Sequence, residues 1–305
     1  MRIGRQPLHD GDHRRQRLKG VLLTMLGAFC FALAPVWVRS IEAYSSTSIV
    51  FYRALIGCIP LMLVIMRSPV LRTGAAPASL SWKNRFVLCG IGLSMCSTAA
   101  FYYFAILKTT VAKAVLLHYT APLYVALFSP LLLKEHNSWQ TWLAVSLGFA
   151  GTALIVEPGD MFNSDPEEIL GIVSAMLSGI CLAGVFLFGR FLAGDVPSLV
   201  RTMYGSLVVV LLLAPWGLSI PAGFFLKNLP FLIILGTISL VVPYSLFFAA
   251  QNHISAQSVS TTALFEPVCG VGIGFLLYGE QLSLLGGLGA VAVLSSIYLS
   301  SRRKC

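Results

Sequence analysis

Long apolar blocks alternate with short polar connections along almost the whole chain. Each block holds about 20 residues rich in Leu, Val, Ile and Phe, the length that a helix needs to cross a bilayer. Backbone groups in hydrocarbon must bond within their own segment, so the blocks are expected to be helices; a barrel would need short alternating strands instead. The pattern predicts ten spans, at 19–38, 47–66, 85–107, 111–133, 138–156, 169–189, 197–217, 228–249, 256–278 and 283–300.

The blocks form two matching sets. An offset of 145 aligns residues 102–155 with 247–300, and an offset of 151 aligns the earlier part of each half. Matched pairs include Pro122 with Pro267, Glu135 with Glu280, Gly20 with Gly171, Cys30 with Cys181 and Arg39 with Arg190. Such duplication is typical of membrane transporters, whose site lies where the repeats meet.

Each copy holds five spans, an odd number, so the second copy is predicted to enter the membrane from the opposite side. The fold class expected is therefore an all-α integral membrane protein with ten transmembrane helices in two inverted five-helix repeats. The predicted organisation is a basic tail at 1–18, a first repeat at 19–156 and a second repeat at 169–300.

Composition agrees with a membrane protein. Hydrophobic residues make up 57% and charged residues 11% of the chain, and the mean hydropathy is +0.83. A soluble domain has about 25% charged residues. The net charge of +9 does not indicate nucleic-acid binding, because the basic residues stand at the ends of apolar blocks and are not interleaved with aromatic residues.

The Lys and Arg distribution predicts the orientation. With both termini cytoplasmic, sixteen of the 21 Lys and Arg residues fall on the inner side, and the longest outer connection is acidic. The protein is therefore expected in the inner (plasma) membrane. The segment HRRQRLK (13–19) comes within one residue of a twin-arginine export signal, but Pro35 disfavours cleavage, and an uncleaved first span is expected.

Signals of enzymatic chemistry are nearly absent. The sequence holds no zinc-protease, serine-hydrolase or nucleotide-binding motif, and the cysteines show no paired metal-ligand spacing, so no cofactor or metal is expected. The glycines of the ninth span, in the run 270–274, and of the tenth span, around Gly289, are interpreted as a close contact between these two neighbouring helices.

Four ionisable residues inside spans are the candidate substrate-binding groups, since charge within a bilayer is expensive and usually functional. They are Arg53 in the second span, Lys113 and His118 in the fourth, and Glu266 near the middle of the ninth, directly before Pro267. Each also has a structural interpretation: Glu266 as an ion-pair partner, His118 as a packing residue, Lys113 as an interfacial lysine.

Tyrosines could line a cavity beside these groups, and Tyr119 is taken as a fifth candidate. The others are Tyr102, Tyr103, Tyr124 and Tyr244. Arg53 and Glu266 are ranked as the better charged pair, because Lys113 and His118 are five positions apart and do not share a helix face. The set suits a small carboxylate or amino acid, and Glu266 or His118 could carry a coupled proton.

The chain resembles the drug/metabolite transporter superfamily and, within it, the EamA family. The segments that carry the resemblance are APLYVALFSPLLLKEHNSWQTWLAVSLGFAGTALI (121–155) and EPVCGVGIGFLLYGEQLSLLGGLGAVAVLSSIYL (266–299). The resemblance implies ten spans, alternating access, a central cavity between the halves and transport of small metabolites, commonly export. Glu135 and Glu280 match end-of-span glutamates, and from their position they are expected to bond the first amides of the next helix.

A secondary transporter of an amino acid or small organic acid is therefore the leading interpretation. The alternatives are a membrane-embedded enzyme acting on a lipid-linked substrate and a channel. The enzyme would need several ionisable groups at one depth and a catalytic loop, and the channel would need a polar pore. The sequence favours neither.

Overall fold

The computed structural model describes residues 10–38, 40–41, 45–76, 80–157, 165–217, 222–279 and 283–301. These residues are almost entirely helical and include no strand. The helices are α1 (Asp10–Ala32), α2 (Ala34–Val38), α3 (Ser46–Arg67), α4 (Pro69–Ala75), α5 (Trp82–Lys108), α6 (Val111–His118), α7 (Ala121–Leu133), α8 (Trp139–Val156), α9 (Pro166–Phe191), α10 (Ser198–Gly217), α11 (Ala222–Gly236), α12 (Val242–Ala250), α13 (Ala256–Ala263), α14 (Phe265–Tyr278) and α15 (Leu284–Ser301). A π-helical segment, Thr237–Val241, joins α11 to α12.

The ten predicted spans are confirmed. Within the described residues, ten helical stretches are long and apolar enough to cross a membrane. Numbered 1 to 10, they are Arg14–Val38, Thr47–Arg67, Trp82–Lys108, Val111–Leu133, Trp139–Val156, Pro166–Phe191, Ser198–Gly217, Phe225–Ala250, Ala256–Leu277 and Leu284–Ser301. Large apolar side chains such as Leu22, Phe86 and Leu276 are exposed on their outer faces, which is where the acyl chains of a bilayer lie.

Two helical segments go beyond the sequence prediction. The first helix begins at Asp10, so the described part of the predicted tail continues span 1 as a helix. Once a span has formed, each residue added at its end gains a backbone hydrogen bond, and the cost of nucleating a new helix does not arise. The short helix α4 lies in the connection after span 2, where the Ser68 hydroxyl accepts a hydrogen bond from the Leu71 amide.

The two halves of the chain pack against each other along their whole length. Extensive contacts join span 3 to span 6, span 4 to span 6, span 5 to span 10, span 2 to span 7, span 1 to span 8 and span 1 to span 9. Every one of these pairs takes one span from each half. Replacing each span by its counterpart in the other half, for example span 3 by span 8 and span 6 by span 1, gives the same set of pairs. The two copies are therefore arranged symmetrically.

The expected glycine contact between spans 9 and 10 is not the one that forms. A Cβ added at Gly270 or Gly272 would meet no atom within 4 Å. Gly289 of span 10 instead packs on Gly151 of span 5, where an added Cβ would lie 2.5 Å from the Gly151 carbonyl oxygen. The glycines of the tenth span therefore serve the contact between the last spans of the two halves, and the expectation for Gly270 and Gly272 was wrong.

Candidate functional site

A central cavity of about 340 Å³ lies where the two halves meet. Spans 1 to 4 of the first half and spans 6, 8 and 9 of the second contribute to its walls. The walls are mostly apolar and aromatic, and include Phe31, Met95, Tyr102, Tyr103, Leu182, Phe186, Tyr244 and Phe247. Among the described residues, Arg53 and Glu266 are the charged side chains that line it, together with the ionisable ring of His118.

Spans 4 and 9 are broken helices, and both breaks lie at the cavity. Span 4 is interrupted between α6 and α7 at Tyr119 and Thr120, and span 9 is interrupted between α13 and α14 at Leu264. The offset of 145 places Tyr119 on Leu264, so the two copies break at the same position. In both copies a proline lies in the first turn of the next helix: Pro122 is the second residue of α7 and Pro267 the third of α14. The first N–H groups of a helix have no intrahelical acceptor, so neither proline costs a backbone bond.

Arg53 extends from α3 into the cavity wall. Its Nε is buried and has no hydrogen-bond partner, and its guanidinium forms no ion pair with a described residue. A buried donor left without an acceptor costs about 1–3 kcal/mol. The side chain therefore has bonding capacity left for a ligand in the cavity.

Glu266 lies in the first turn of α14, directly after the break in span 9. The positive end of the helix dipole favours a carboxylate at this position. The hydroxyl of Tyr119, from the break in span 4, is close to the carboxylate and interacts with it. The two broken helices, one from each half, thus meet through the Tyr119 and Glu266 side chains.

His118 is held by neighbours on one side and lines the cavity on the other. Its Nδ1 lies 3.0 Å from the Ser178 hydroxyl, and its ring packs on Tyr102 with centroids 4.6 Å apart. The Ser178 hydroxyl also donates to the Ala175 carbonyl oxygen at 2.6 Å. With that proton committed, Nδ1 is the donor to Ser178, and Nε2 is the atom that can gain or lose a proton.

Lys113 does not line the central cavity. It is nearly buried at the start of α6, and its Nζ lies 2.7 Å from Glu168 Oε1 at the start of α9. The same carboxylate accepts a hydrogen bond from the Thr109 hydroxyl at 3.1 Å. Four of the five predicted site residues therefore come together around one cavity, and the fifth forms an ion pair between spans 4 and 6.

A hydrogen-bonded network joins the halves at the opposite end of spans 4 and 6 from the Lys113–Glu168 ion pair. Arg190 Nε donates to Glu135 Oε1 at 2.8 Å, and the Ala256 amide donates to Glu135 Oε2 at 3.2 Å. Arg190 also donates to the Gln251 carbonyl oxygen. Glu135 thus bonds the first amide of α13 in the other half, not the amides of the next helix as expected. Glu280, its counterpart, lies outside the described residues.

A second cavity, of about 320 Å³, surrounds this network. It is more polar than the central one. Its lining includes Arg17, Lys134, Glu135, His136, Arg190 and the serines Ser255, Ser258, Ser300 and Ser301. This cavity could not be predicted from the sequence, although the matches of Glu135 with Glu280 and of Arg190 with Arg39 pointed to two of the residues that line it.

A packed layer separates the two cavities. Val125 of span 4, Leu187 of span 6 and Val259 of span 9 are buried there in one apolar cluster. Gln257 adds a bond across the layer, from its side-chain nitrogen to the Pro122 carbonyl oxygen at 3.3 Å. At the opposite end, the central cavity reaches Val111, whose side chain is 58% exposed. Among the described residues, the packed layer thus closes one end of the central cavity, and the other end extends to the exposed Val111.

The model of the EamA-like transporter family matches residues 18–157 and 169–302. An uncharacterised transporter of Archaeoglobus fulgidus is 27% identical over 284 residues, which are 93% of this chain and 96% of that protein. The pseudopaline exporter CntI of Pseudomonas aeruginosa is 27% identical over 296 residues, with the same two coverages. Mouse solute carrier family 35 member G1 is 27% identical over 161 residues, covering 52% of this chain and 42% of that protein.

A solved crystal structure has the same fold. It superposes with a TM-score of 0.77 over 92% of this chain and 95% of its own, at 17% sequence identity. At that identity the likeness concerns the helical arrangement alone.

Proposed function

Because the chain belongs to the EamA-like transporter family, we propose that it is a secondary transporter that exports an amino acid or a small organic acid by alternating access. Family membership and ten spans make it a multi-pass membrane protein that moves a small solute. The observation that carries the finer proposal is the central cavity, in which Arg53 and Glu266 face a mostly apolar space.

The chemistry of the cavity suits a carboxylate. Arg53 presents a guanidinium whose Nε has no acceptor, and guanidinium groups bind carboxylates through paired hydrogen bonds. Glu266 and Tyr119 on the broken helices can receive an ammonium group, so an amino acid would satisfy both ends of the site. The aromatic walls fit an apolar remainder. A cavity of about 340 Å³ admits only a small molecule.

The shape of the cavity supports alternating access. It reaches Val111 at the end of span 4 that the Lys and Arg distribution places outside, and the packed layer closes its inner end. This is an outward-open arrangement. The symmetric pairing of spans across the halves supports the inverted repeats, 19–156 and 169–300, and an inward-open state would follow if the two halves exchanged their conformations.

Location and energy coupling complete the proposal. The protein lies in the inner membrane with both termini cytoplasmic, as the distribution of basic residues favours. Protons are the proposed coupling ion, with Glu266 as carrier and His118 Nε2 as the alternative, since both line the cavity. Export is supported by the name of one similar protein, the pseudopaline exporter CntI.

The membrane-enzyme alternative receives less support. The curated relatives compared above carry the names of transporters or of a solute carrier. His118 and Glu266 of the central cavity also adjoin the two helix breaks, and Arg53 lies within α3, so none of these three residues belongs to a connecting loop.

The test is ligand-dependent thermal stabilisation of the purified protein across a panel of amino acids and organic acids. A ligand present at 100 times its Kd stabilises the folded state by about 2.7 kcal/mol, so weak substrates also register. We expect Arg53→Gln to lose the stabilisation by carboxylate ligands. Lys113→Ala removes a cation that lies outside the cavity. This variant should unfold at a lower temperature than the parent without ligand, but carboxylate ligands should still stabilise it. Equal stabilisation of Arg53→Gln and the parent would contradict a carboxylate substrate.

A further inference from the structure

We propose that the second cavity is an anion-binding vestibule on the inner side of the transport path, and that the Glu135 carboxylate occupies part of it as a built-in competitor for the carboxylate of the substrate. The inference rests on the proposed function, because it takes the solute to be a small organic anion or amino acid. It adds a second site, separated from the central cavity by the packed layer.

The position of the Glu135 carboxylate is itself an anion site. One oxygen accepts from Arg190 Nε at 2.8 Å, and the other accepts from the Ala256 amide, the first of α13, at 3.2 Å. Guanidinium and backbone donors of this kind hold any carboxylate of suitable geometry. Since Glu135 belongs to the first half and both of its partners to the second, the site exists only where the halves meet.

The surroundings offer both room and positive charge for a second carboxylate. The cavity of about 320 Å³ is close in volume to the central one, so the same small solute fits. Lys134 lines it and forms no ion pair with any described residue. Arg17, His136 and the serine hydroxyls complete the lining. The formal charge of the lining Lys, Arg and Glu side chains is positive, because one carboxylate faces three basic groups.

The backbone at Lys134 indicates that its side chain is kept at a cost. Lys134 ends α7 in the left-handed conformation, with φ of 56°. The matched position in the second half is Gly279, with φ of 66°, and glycine takes this conformation without strain. The lysine at this glycine-like position is explained if its ammonium group supplies positive charge to the second cavity.

Displacement of Glu135 would couple the arrival of the solute to opening of the inner side. A solute carboxylate that takes over Arg190 and the Ala256 amide leaves Glu135 free, and the bonds between Glu135 and the second half are lost. The solute thereby replaces a contact between the halves with contacts to one half only. The inner end could then separate without leaving Arg190 unpaired.

The test is isothermal titration with sodium succinate, against sodium chloride of equal ionic strength, in an Arg53→Gln background that removes the central-site cation. Glu135→Gln removes the competing charge and should tighten succinate binding about tenfold, the equivalent of one charge-assisted hydrogen bond. Lys134→Gly should weaken binding severalfold while raising the unfolding temperature. Lys83→Ala, a basic residue that packs on Phe191 outside the cavity, should change neither.

The proposal is overturned if Glu135→Gln binds succinate no better than its background, or if Lys134→Gly binds it equally well. Succinate-independent binding of phosphatidylglycerol in nanodiscs, lost in Lys134→Gly, would also overturn it and assign the cavity to a lipid headgroup. Failure of the central site has a different signature: Arg53→Gln alone would then transport like the parent, whatever the inner cavity binds.

Discussion

The two ends of the membrane domain place different chemistry on matched positions. At one end, Lys113 of span 4 and Glu168 of span 6 form a nearly buried ion pair. The repeat offsets place Lys113 on Ser258 and Glu168 on Arg17. Ser258 and Arg17 lie at the other end of the molecule, where they line the second cavity. The matched positions therefore form an ion pair at one end and line a cavity with a net positive charge at the other.

The helix breaks differ in a similar way. The first half places His118 and Tyr119 at its break, whereas the second half has Ala263 and Leu264 at the matched positions. Glu266 of the second half is matched by an alanine in the first. Each half thus contributes one kind of ionisable group to a cavity that neither could form alone. The duplication sets the geometry, and the later divergence of single residues sets the chemistry.

The assignment of the two ends to inside and outside gives the largest expected effect, because it is all or none. Reporter fusions after residue 305 and within 67–84 should both be active on the cytoplasmic side, and a fusion within 157–168 on the periplasmic side. The basic residues are concentrated on the predicted inner side, which determines orientation. A periplasmic C-terminus would contradict the ten-span arrangement with both termini inside, and the end now assigned to the inside could no longer be placed there.

The difference between the two helix breaks can be tested through proton coupling. In proteoliposomes, Glu266→Gln should remove the response of transport to an imposed pH gradient, since its amide cannot take up a proton. His118→Ala should keep most of the response if Glu266 is the carrier. Circular dichroism checks that both variants are folded. A full response in both variants would favour facilitated diffusion or exchange over proton coupling.

The Lys113–Glu168 ion pair, at the end predicted to face outside, should be important for stability. Lys113→Ala leaves the Glu168 carboxylate, one-fifth exposed, without its cation. We expect a loss of about 2 kcal/mol in the free energy of unfolding, below the value for a fully buried pair because Thr109 still donates to the carboxylate. Thermal unfolding in detergent measures it.

The matched control for Lys113→Ala is the double variant with Glu168→Gln, which removes both charges. It should recover most of the lost stability, because no unpaired buried charge remains. A double variant as unstable as Lys113→Ala would mean that packing, not charge, holds spans 4 and 6 together at this point.

The smallest effect is expected at Ser258, the position that matches Lys113 in the second half. Ser258→Ala removes a hydroxyl that accepts one hydrogen bond from the Ser255 hydroxyl. The change should alter the free energy of unfolding by no more than about 0.5 kcal/mol, as for substitutions away from buried networks. A loss comparable to that of Lys113→Ala would show that the two ends are locked alike, and the comparison would fail.

The spans and most of the candidate site could be predicted from the sequence for simple reasons. Hydrocarbon length and backbone bonding determine where a span begins and ends, so ten apolar blocks gave ten helices. Placing a charged side chain inside a bilayer costs free energy, so ionisable residues within spans are rare and usually functional. Arg53, His118 and Glu266 were therefore identified by depth alone, and the structure brings them to one cavity with Tyr119.

Features that depend on distant partners could not be predicted in this way. Lys113 has the same kind of position in its span as a ligand group, and only Glu168, 55 residues away, shows that it is paired. The matched prolines at 122 and 267 did not by themselves predict that a new helix begins just before each of them, after a break. The partner of Gly289 was assigned by proximity in sequence, whereas the packing of the halves brings Gly151 to it.

The glycine contact between spans 5 and 10 has a consequence for how this kind of protein can diversify. Neither span lines the central cavity, and Gly151 and Gly289 bring their backbones together without using large side chains. Mutations that alter the cavity walls therefore leave the contact between spans 5 and 10 unchanged. The solute can then change during evolution while the packing of these two spans is retained. Selection on the contact between spans 5 and 10 and selection on the cavity therefore act on separate sets of residues.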